Sequence, residues 1–338
     1  MSSTTGLLKQ QTPRAAPDGP RGAGRLLLQR YRNVIVPVVA LIVLIAYFGT
    51  KNSAFVSTNS AENILRQVSF LAVLALAGTF VILIGGIDLS VAANATLAGI
   101  LVAKWIDSMG GALSIVLVLV IGGLVGLVNG VITTVLRVPS FLVTLGMMSI
   151  LDGVSNRISH GGPVSYQSTV LNSLVNETTI PKVPNGALIA VALVIVATTL
   201  AFMTSWGRHL YAVGGNERAA RLSGVRVKTV KLCVFALAGV IAAAAGIVLT
   251  GQASTGVPMG ADPSLLDSIA AIVVGGTALS GGVGGPHRTL LGALVIVILT
   301  AGMDITSVDA YNQLVVKGAV VILAVAATID RRRYGMIK

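Results

Sequence analysis

The chain has 338 residues, of which 54% are hydrophobic and only 11% charged, and its mean hydropathy is +0.88. A soluble domain with that balance could not cover its surface with polar groups, which excludes an ordinary soluble enzyme. The formal net charge of +12 would suggest a nucleic-acid footprint in a soluble protein, but its distribution along the chain points elsewhere.

Residues 1–33, rich in Pro, Gly, Arg and Gln, lack the apolar run and small-residue cleavage site of a secretory signal. They read as a disordered basic cytoplasmic tail, with the first span as an uncleaved signal anchor. A helix needs about 20 mainly apolar residues to cross the hydrocarbon layer. Such stretches lie near 34–50, 64–84, 89–106, 112–136, 140–156, 186–204, 230–251, 265–280, 288–303 and 311–329. The expected fold is therefore all-α: a polytopic integral membrane protein of about ten transmembrane helices. A single transmembrane domain over 34–330 and a basic cytoplasmic C-terminus over 331–338 complete the expected organisation.

Ten crossings put both termini on one side, and cytoplasmic segments should then carry the Lys and Arg. The tail before Asn33 holds Lys9, Arg14, Arg21, Arg25, Arg30 and Arg32, and the connection after the sixth span holds Arg208, Arg218, Arg221, Arg226, Lys228 and Lys231. The C-terminus adds Arg331, Arg332, Arg333 and Lys338, and the same-side turns add Arg137 and Arg288, giving 18 of the 24 basic residues. The opposite side holds only Lys51, Arg66, Lys104, Arg157 and Lys182, while Lys317 lies within the last span. The charge thus reads as topology in a cell membrane, with the lipid bilayer as solvent and no nucleic-acid partner.

Cys233 is the sole cysteine, and His160, His209 and His287 fall in three separate loops. An intrachain disulfide is excluded, and neither a cysteine nor a histidine metal cluster is expected.

Two connections are long enough to carry function. The external one, 156–185, mixes Gly161, Gly162, Pro163, Pro181 and Pro184 with Ser, Thr and Asn. It suits either an extracellular partner or a solvated loop. The cytoplasmic one, 205–231, is too polar to span and too patterned for a linker. Asn216 can cap a short helix over 217–222, Glu217 suits that helix's positive end, and Gly224 can end it.

The pattern GGxxLS occurs at Gly85, Gly86, Leu89 and Ser90 and again at Gly275, Gly276, Leu279 and Ser280. Transporters are often built from repeats with broken helices lining the path, although a glycine-rich chain can produce such a match by chance. Gly122, Gly123, Gly126 and Gly130 suit close helix packing.

Ionisable groups inside a membrane merit a functional hypothesis because burying them costs about 2.5 to 3.5 kcal/mol each at a helix centre. Asp88, Asp152, Asp267 and Lys317 are the candidates. Asp88, beside the glycine pair, is read as functional; the others can equally sit near an interface or pair with a partner. Among uncharged polar residues, Asn94, Thr96, Asn129, Thr133, Thr134 and Thr144 could bond to sugar hydroxyls or across helices. Asp88, Asn94, Asn129, Thr144 and Asp267 are the candidate substrate path. No catalytic constellation is present: GxSxG, HExxH and GxxxxGK[ST] are all missing, and the one Lys-Thr candidate, Lys228 and Thr229, follows Val227 where glycine is needed. If ATP drives this chain, another subunit hydrolyses it.

Five ordered blocks carry a resemblance: LALAGTFVILIGGIDLSV, LRVPSFLVTLGMMSI, YAVGGNERAARLSGVRVKTVK, LLDSIAAIVVGGTALSGGVG and QLVVKGAVVILAV. Over roughly residues 60–330 the chain resembles the permease family of bacterial ribose, xylose and arabinose ABC importers. The resemblance implies a dimer of permeases, self-paired or with a paralogue, on two cytoplasmic ABC ATPase subunits, fed by an extracellular or periplasmic sugar-binding protein. ATP and Mg would reside on the ATPase, and no cofactor on this chain. It also implies that Gly215, Asn216, Glu217, Ala219, Ala220, Arg221 and Gly224 form the segment coupled to the ATPase, with the small Ala219 and Ala220 allowing close seating. Two departures stand out: Thr79 where relatives commonly have glutamine, and Pro286, His287 and Arg288 where small or apolar residues are usual. A permease of the same superfamily for a nucleoside, autoinducer or branched-chain amino acid is the nearest alternative, and an ion-coupled secondary transporter a more distant one.

Overall fold

The computed structural model describes residues 19–328, with side chains over 34–326. The expected basic ends, 1–33 and 331–338, lie outside this description except for the backbone of 19–33, which is helical and runs on into the first span. Thirteen α-helices follow one another among the described residues: α1 (Gly19–Lys51), α2 (Thr58–Leu83), α3 (Val91–Met109), α4 (Gly111–Val135), α5 (Ser140–Ser159), α6 (Val170–Val175), α7 (Asn185–Met203), α8 (Ser205–Gly215), α9 (Glu217–Leu222), α10 (Val227–Ala253), α11 (Ser264–Val274), α12 (Pro286–Ile305) and α13 (Ala310–Thr328). The sheet content is one antiparallel pair, β1 (Val164–Ser165) with β2 (Thr255–Gly256), in which Val164 faces Gly256.

The chain is therefore an all-α polytopic membrane protein. Six described helices are long and apolar enough to cross a bilayer: the Val34–Lys51 part of α1, then α2, α4, α7, α10 and α12. Helices α3, α5, α11 and α13 stand at the four remaining expected spans.

The eighth expected span, 265–280, is corrected. Helix α11 has 11 residues, a rise of about 16 Å, roughly half the hydrocarbon thickness. It stops because Gly276 takes φ 84°, which lets Gly276 N donate to Val273 O at 2.9 Å and Thr277 N to Ile272 O at 3.1 Å. That is the glycine-dependent helix end that closes orphan carbonyls. The chain reaches α11 through non-helical turns at 257–263, whose backbone is tied to α3 by the Ala261 amide donating to Thr96 Oγ1 at 3.2 Å. Irregular backbone at membrane depth is tolerated only inside protein or along a cavity.

The core runs along α2 and α10. Phe80, Leu74, Leu76 and Leu83 of α2 and Phe235 of α10 are fully buried, while the outer faces of α1 and α13 expose Ile42, Val43, Leu314 and Ile322, as lipid-facing helices do. Between α4 and α10 the backbones touch. A Cβ at Gly126 would run into the Phe235 carbonyl, and one at Gly239 into the Gly122 carbonyl, so the glycine spacing in α4 serves close packing.

The long connection between α5 and α7 is packed down. Leu171 and Val175 of α6 are buried, and Arg66 Nη1 donates to Asn176 Oδ1 at 2.6 Å. Asp107 accepts from the amides of Gln167 and Ser168, each at 2.8 Å.

Candidate functional site

The polar connection between α7 and α10 begins where Thr204, extended at ψ 158°, accepts from Gly207 N at 3.0 Å and starts α8. Helix α8 ends at Gly215. Asn216, extended at φ −160°, then accepts from Ala219 N at 3.0 Å and caps α9. The end of α9 is fixed by Gly224, at φ 83°: Val225 N donates to Ala220 O at 3.0 Å and Gly224 N to Arg221 O at 3.1 Å. The capped helix read from the sequence is thus the observed one.

Glu217 joins two elements. Its Oε1 accepts from Arg221 Nη2 at 2.8 Å, and its Oε2 from Lys231 Nζ on α10 at 2.7 Å. The hydrogen bond from Lys231 holds the Glu217 carboxyl below its ordinary value, against a smaller opposing effect of partial burial, with the Lys231 charge and then Arg221 adding to the lowering. One difference from the sequence reading concerns the alanines. Ala220 is 5% exposed and packs inward, so only Ala219 of the pair faces solvent. Leu222, which sequence reasoning passed over, is 83% exposed on the same six-residue helix.

The first glycine pair ends α2 as the second ends α11. Gly85 takes φ 76°, Gly85 N donates to Ile82 O at 2.8 Å and Gly86 N to Val81 O at 2.9 Å. The two GGxxLS copies therefore share a helix ending, offset by one residue. The residues flanking them also meet: Gly282 N donates to Leu83 O at 2.9 Å, and Gly214 of α8 presses against both.

Three of the five candidate path residues gather at the break between α2 and α3. Asp88, 8% exposed, accepts through Oδ1 from Ser90 N at 2.8 Å and Ser90 Oγ at 2.6 Å. Asn129 Nδ2 donates to Ser90 Oγ at 2.9 Å, and Asn129 Oδ1 is buried without a partner. Thr144 Oγ1 accepts from Leu89 N at 3.0 Å. Ser140, absent from the sequence candidates, accepts from Ile87 N at 3.0 Å. Hydroxyls of α5 thus satisfy backbone amides that the break frees, and the Asn129 amide of α4 holds the Ser90 side chain.

The other two stand apart. Asn94 Nδ2 donates to the carbonyls of Gly122 and Gly239, both at 3.2 Å, which ties α3 to the α4–α10 crossing. Asp267 pairs with Lys317 at 2.8 Å and ties α11 to α13. Among the described residues no group of three His, Cys, Asp or Glu could hold a metal ion.

Residues 60–325 match the family model of the branched-chain amino acid transport system / permease component. The chain belongs to this family. It is 38% identical over 292 residues to "Ribose import permease protein RbsC" of Escherichia coli (strain K12), covering 85% of this chain and 91% of that protein. It is 36% identical over 299 residues to the protein of the same name in Bacillus subtilis (strain 168), covering 88% and 92%. With "Xylose transport system permease protein XylH" of Escherichia coli (strain K12) it shares 31% identity over 356 aligned positions, covering 86% and 90%. No solved structure matches the chain significantly.

Within this permease family the two departures noted above acquire a setting. Thr79 Oγ1 lies 2.7 Å from Thr289 Oγ1 and donates to Ala75 O, so two short hydroxyls meet between α2 and α12. His287 sits edge-on to Phe202, centroids 5.4 Å apart, while Tyr211 stacks on the same ring and donates to Gly284 O at 2.9 Å. The second departure thus fastens the start of α12 to the end of α7 and to α8.

Proposed function

We propose that this chain is the membrane-spanning subunit of an ATP-binding cassette importer for a monosaccharide, a pentose or hexose. The observation that carries the reading is the alignment, over most of both chains, with proteins named as ribose and xylose permeases. The chain crosses the membrane ten times with both termini cytoplasmic, the eighth crossing being made by the turns at 257–263 together with α11. It hydrolyses nothing itself. ATP and Mg belong to a separate cytoplasmic ATPase, and a second permease copy or paralogue and an extracellular sugar-binding protein complete the assembly.

Helix α9 is the part that seats on the ATPase, through Asn216, Glu217, Ala219, Arg221 and the exposed Leu222, with Gly215 and Gly224 setting its ends and Ala220 anchoring it from beneath. Nucleotide-driven movement reaches the membrane because α8 abuts both glycine turns, so a rigid-body shift of α8–α9 moves the ends of α2 and α11 together. Asp88, Asn129 and Thr144 line the path at the first of these turns. Asn94 and Asp267 act beside it by holding the helices in register.

The test is a pull-down of the tagged permease from mildly solubilised membranes, with ATPase assay of the product. Recovery of a P-loop ATPase whose hydrolysis rises with a sugar-loaded binding protein supports the reading. Uptake driven by an ion gradient, with no ATPase recovered from folded protein, overturns it.

A further inference from the structure

Between α9 and the first glycine turn lies a cavity of about 370 Å³. Its wall carries four cations, Arg137, Arg221, Lys228 and Lys231, and one carboxylate, Glu217. That carboxylate is already shared by Arg221 and Lys231, and among the described residues Arg137 and Lys228 have no acidic partner within ion-pair distance.

The backbone adds to this field. The first residues of two long helices line the same cavity: Pro139 and Ser140 at the start of the 20-residue α5, and Val227 and Lys228 at the start of the 27-residue α10. Neither helix has a side-chain cap, so two positive helix ends with amides lacking intrahelical acceptors converge beside the cations. Arg137 itself is held at φ 58°, a left-handed conformation that costs a non-glycine residue about 1 kcal/mol or more and tends to mark functional positions. Thr133, also in the wall, has a buried hydroxyl without a partner.

We propose that this cavity binds a phosphoryl group. Three positive charges in excess, a forked guanidinium, two helix starts and a free hydroxyl suit a small tetrahedral dianion with several acceptor oxygens. A neutral sugar would leave those charges unanswered. The bound group sits against both α9 and the Gly85–Gly86 turn and braces one on the other. Two sources share the chemistry: a soluble phosphorylated metabolite and the headgroup of an acidic phospholipid. The binding claim stands apart from the assignment of α9 to an ATPase, since it needs only this chain.

The experiment uses the full-length chain in nanodiscs of phosphatidylcholine, titrated with inorganic phosphate and followed by phosphorus NMR line broadening. A second arm measures by native mass spectrometry whether phosphatidylglycerol is retained over phosphatidylcholine. The comparison variant is Arg137→Gln with Lys228→Gln, and Lys104→Gln serves as a distant cation control. Saturable phosphate binding, weakened about tenfold or more in the double variant and unchanged in the control, supports the site with a soluble source. Retention of phosphatidylglycerol alone, lost in the double variant, supports it with a lipid source. Equal behaviour of wild type and double variant in both arms, or no saturable binding in either, overturns it. If the double variant does not fold, Thr133→Val and each single substitution are read in the same way for a several-fold loss.

Discussion

The amide of Gly282 donates to the carbonyl of Leu83 across 2.9 Å, and so joins the turn after α11 to the end of α2. The two residues flank separate GGxxLS copies and lie 199 positions apart, and Gly214 at the end of α8 closes on both. Three chain segments meet here with no side chain between them. A β-carbon at Gly214 would collide with the Leu83 carbonyl and the Gly282 amide.

Gly214→Val is therefore expected to insert normally yet lose stability by about 1 to 3 kcal/mol, the usual cost of overpacking, and to uncouple ATP hydrolysis from sugar uptake. Thermal unfolding in detergent and uptake into proteoliposomes measure the two effects. Unimpaired uptake would mean that the junction can open without consequence, and would remove it from the coupling route.

The exposed face of α9 gives a second outcome. Leu222 is 83% exposed in this chain, so the effects of its mutation on stability and on assembly separate cleanly. Leu222→Asp is expected to leave the melting temperature of the isolated permease within about a degree while weakening ATPase capture by about 2 kcal/mol, the scale of an interface hot spot. Sedimentation of the purified subunits together reads this directly. Equal capture by the variant would place the ATPase contact on another cytoplasmic segment.

The Glu217 triad predicts a pH window. Because Lys231, then Arg221, lower the carboxyl below its ordinary value of 4.5, its contribution to stability is present above that value and is lost as pH falls through the lower folded value. The Glu217 side chain is 41% exposed, so solvent screens the pair and the effect is local. Amide exchange at 219–225 is expected to stay slow from neutral pH down to about 4.5 and to rise below it, once the intrinsic pH dependence of exchange is divided out. In Glu217→Gln the protection should be lower at neutral pH and flat across the same range.

How much of this the sequence carried follows from the range of each interaction. Helix α9 was legible because its cap, its charge and its terminating glycine act within nine residues of one another. The short length of α11 was not legible, since an apolar run continues through Gly275 and Gly276 and hydropathy does not register a turn. Asn129 and Thr144 stand out in the sequence only as polar residues in apolar spans, and Asp88 only by its place beside the glycine pair. That they converge, and that Ser140 and Ser90 complete the cluster, depends on α4 and α5 packing at the break, which no local pattern records. Lys231 reaching Glu217 and Asp267 reaching Lys317 depend likewise on which helices become neighbours.

The last of these pairs can be tested against its two readings. Asp267 and Lys317, with side chains 17% and 20% exposed, hold α11 to α13 at 2.8 Å. Removing one partner strands a charge in a low-dielectric setting and is expected to cost about 3 to 5 kcal/mol, whereas replacing both with apolar residues of similar size costs far less. Lys317→Met alone should therefore unfold at much lower temperature than the double variant Asp267→Leu with Lys317→Met, which should approach wild type. Sugar uptake by that double variant then separates the roles. If uptake survives, the pair is a latch that fixes the half-helix; if a stable double variant fails to transport, the carboxylate of Asp267 belongs to the path itself, released from Lys317 when α11 moves.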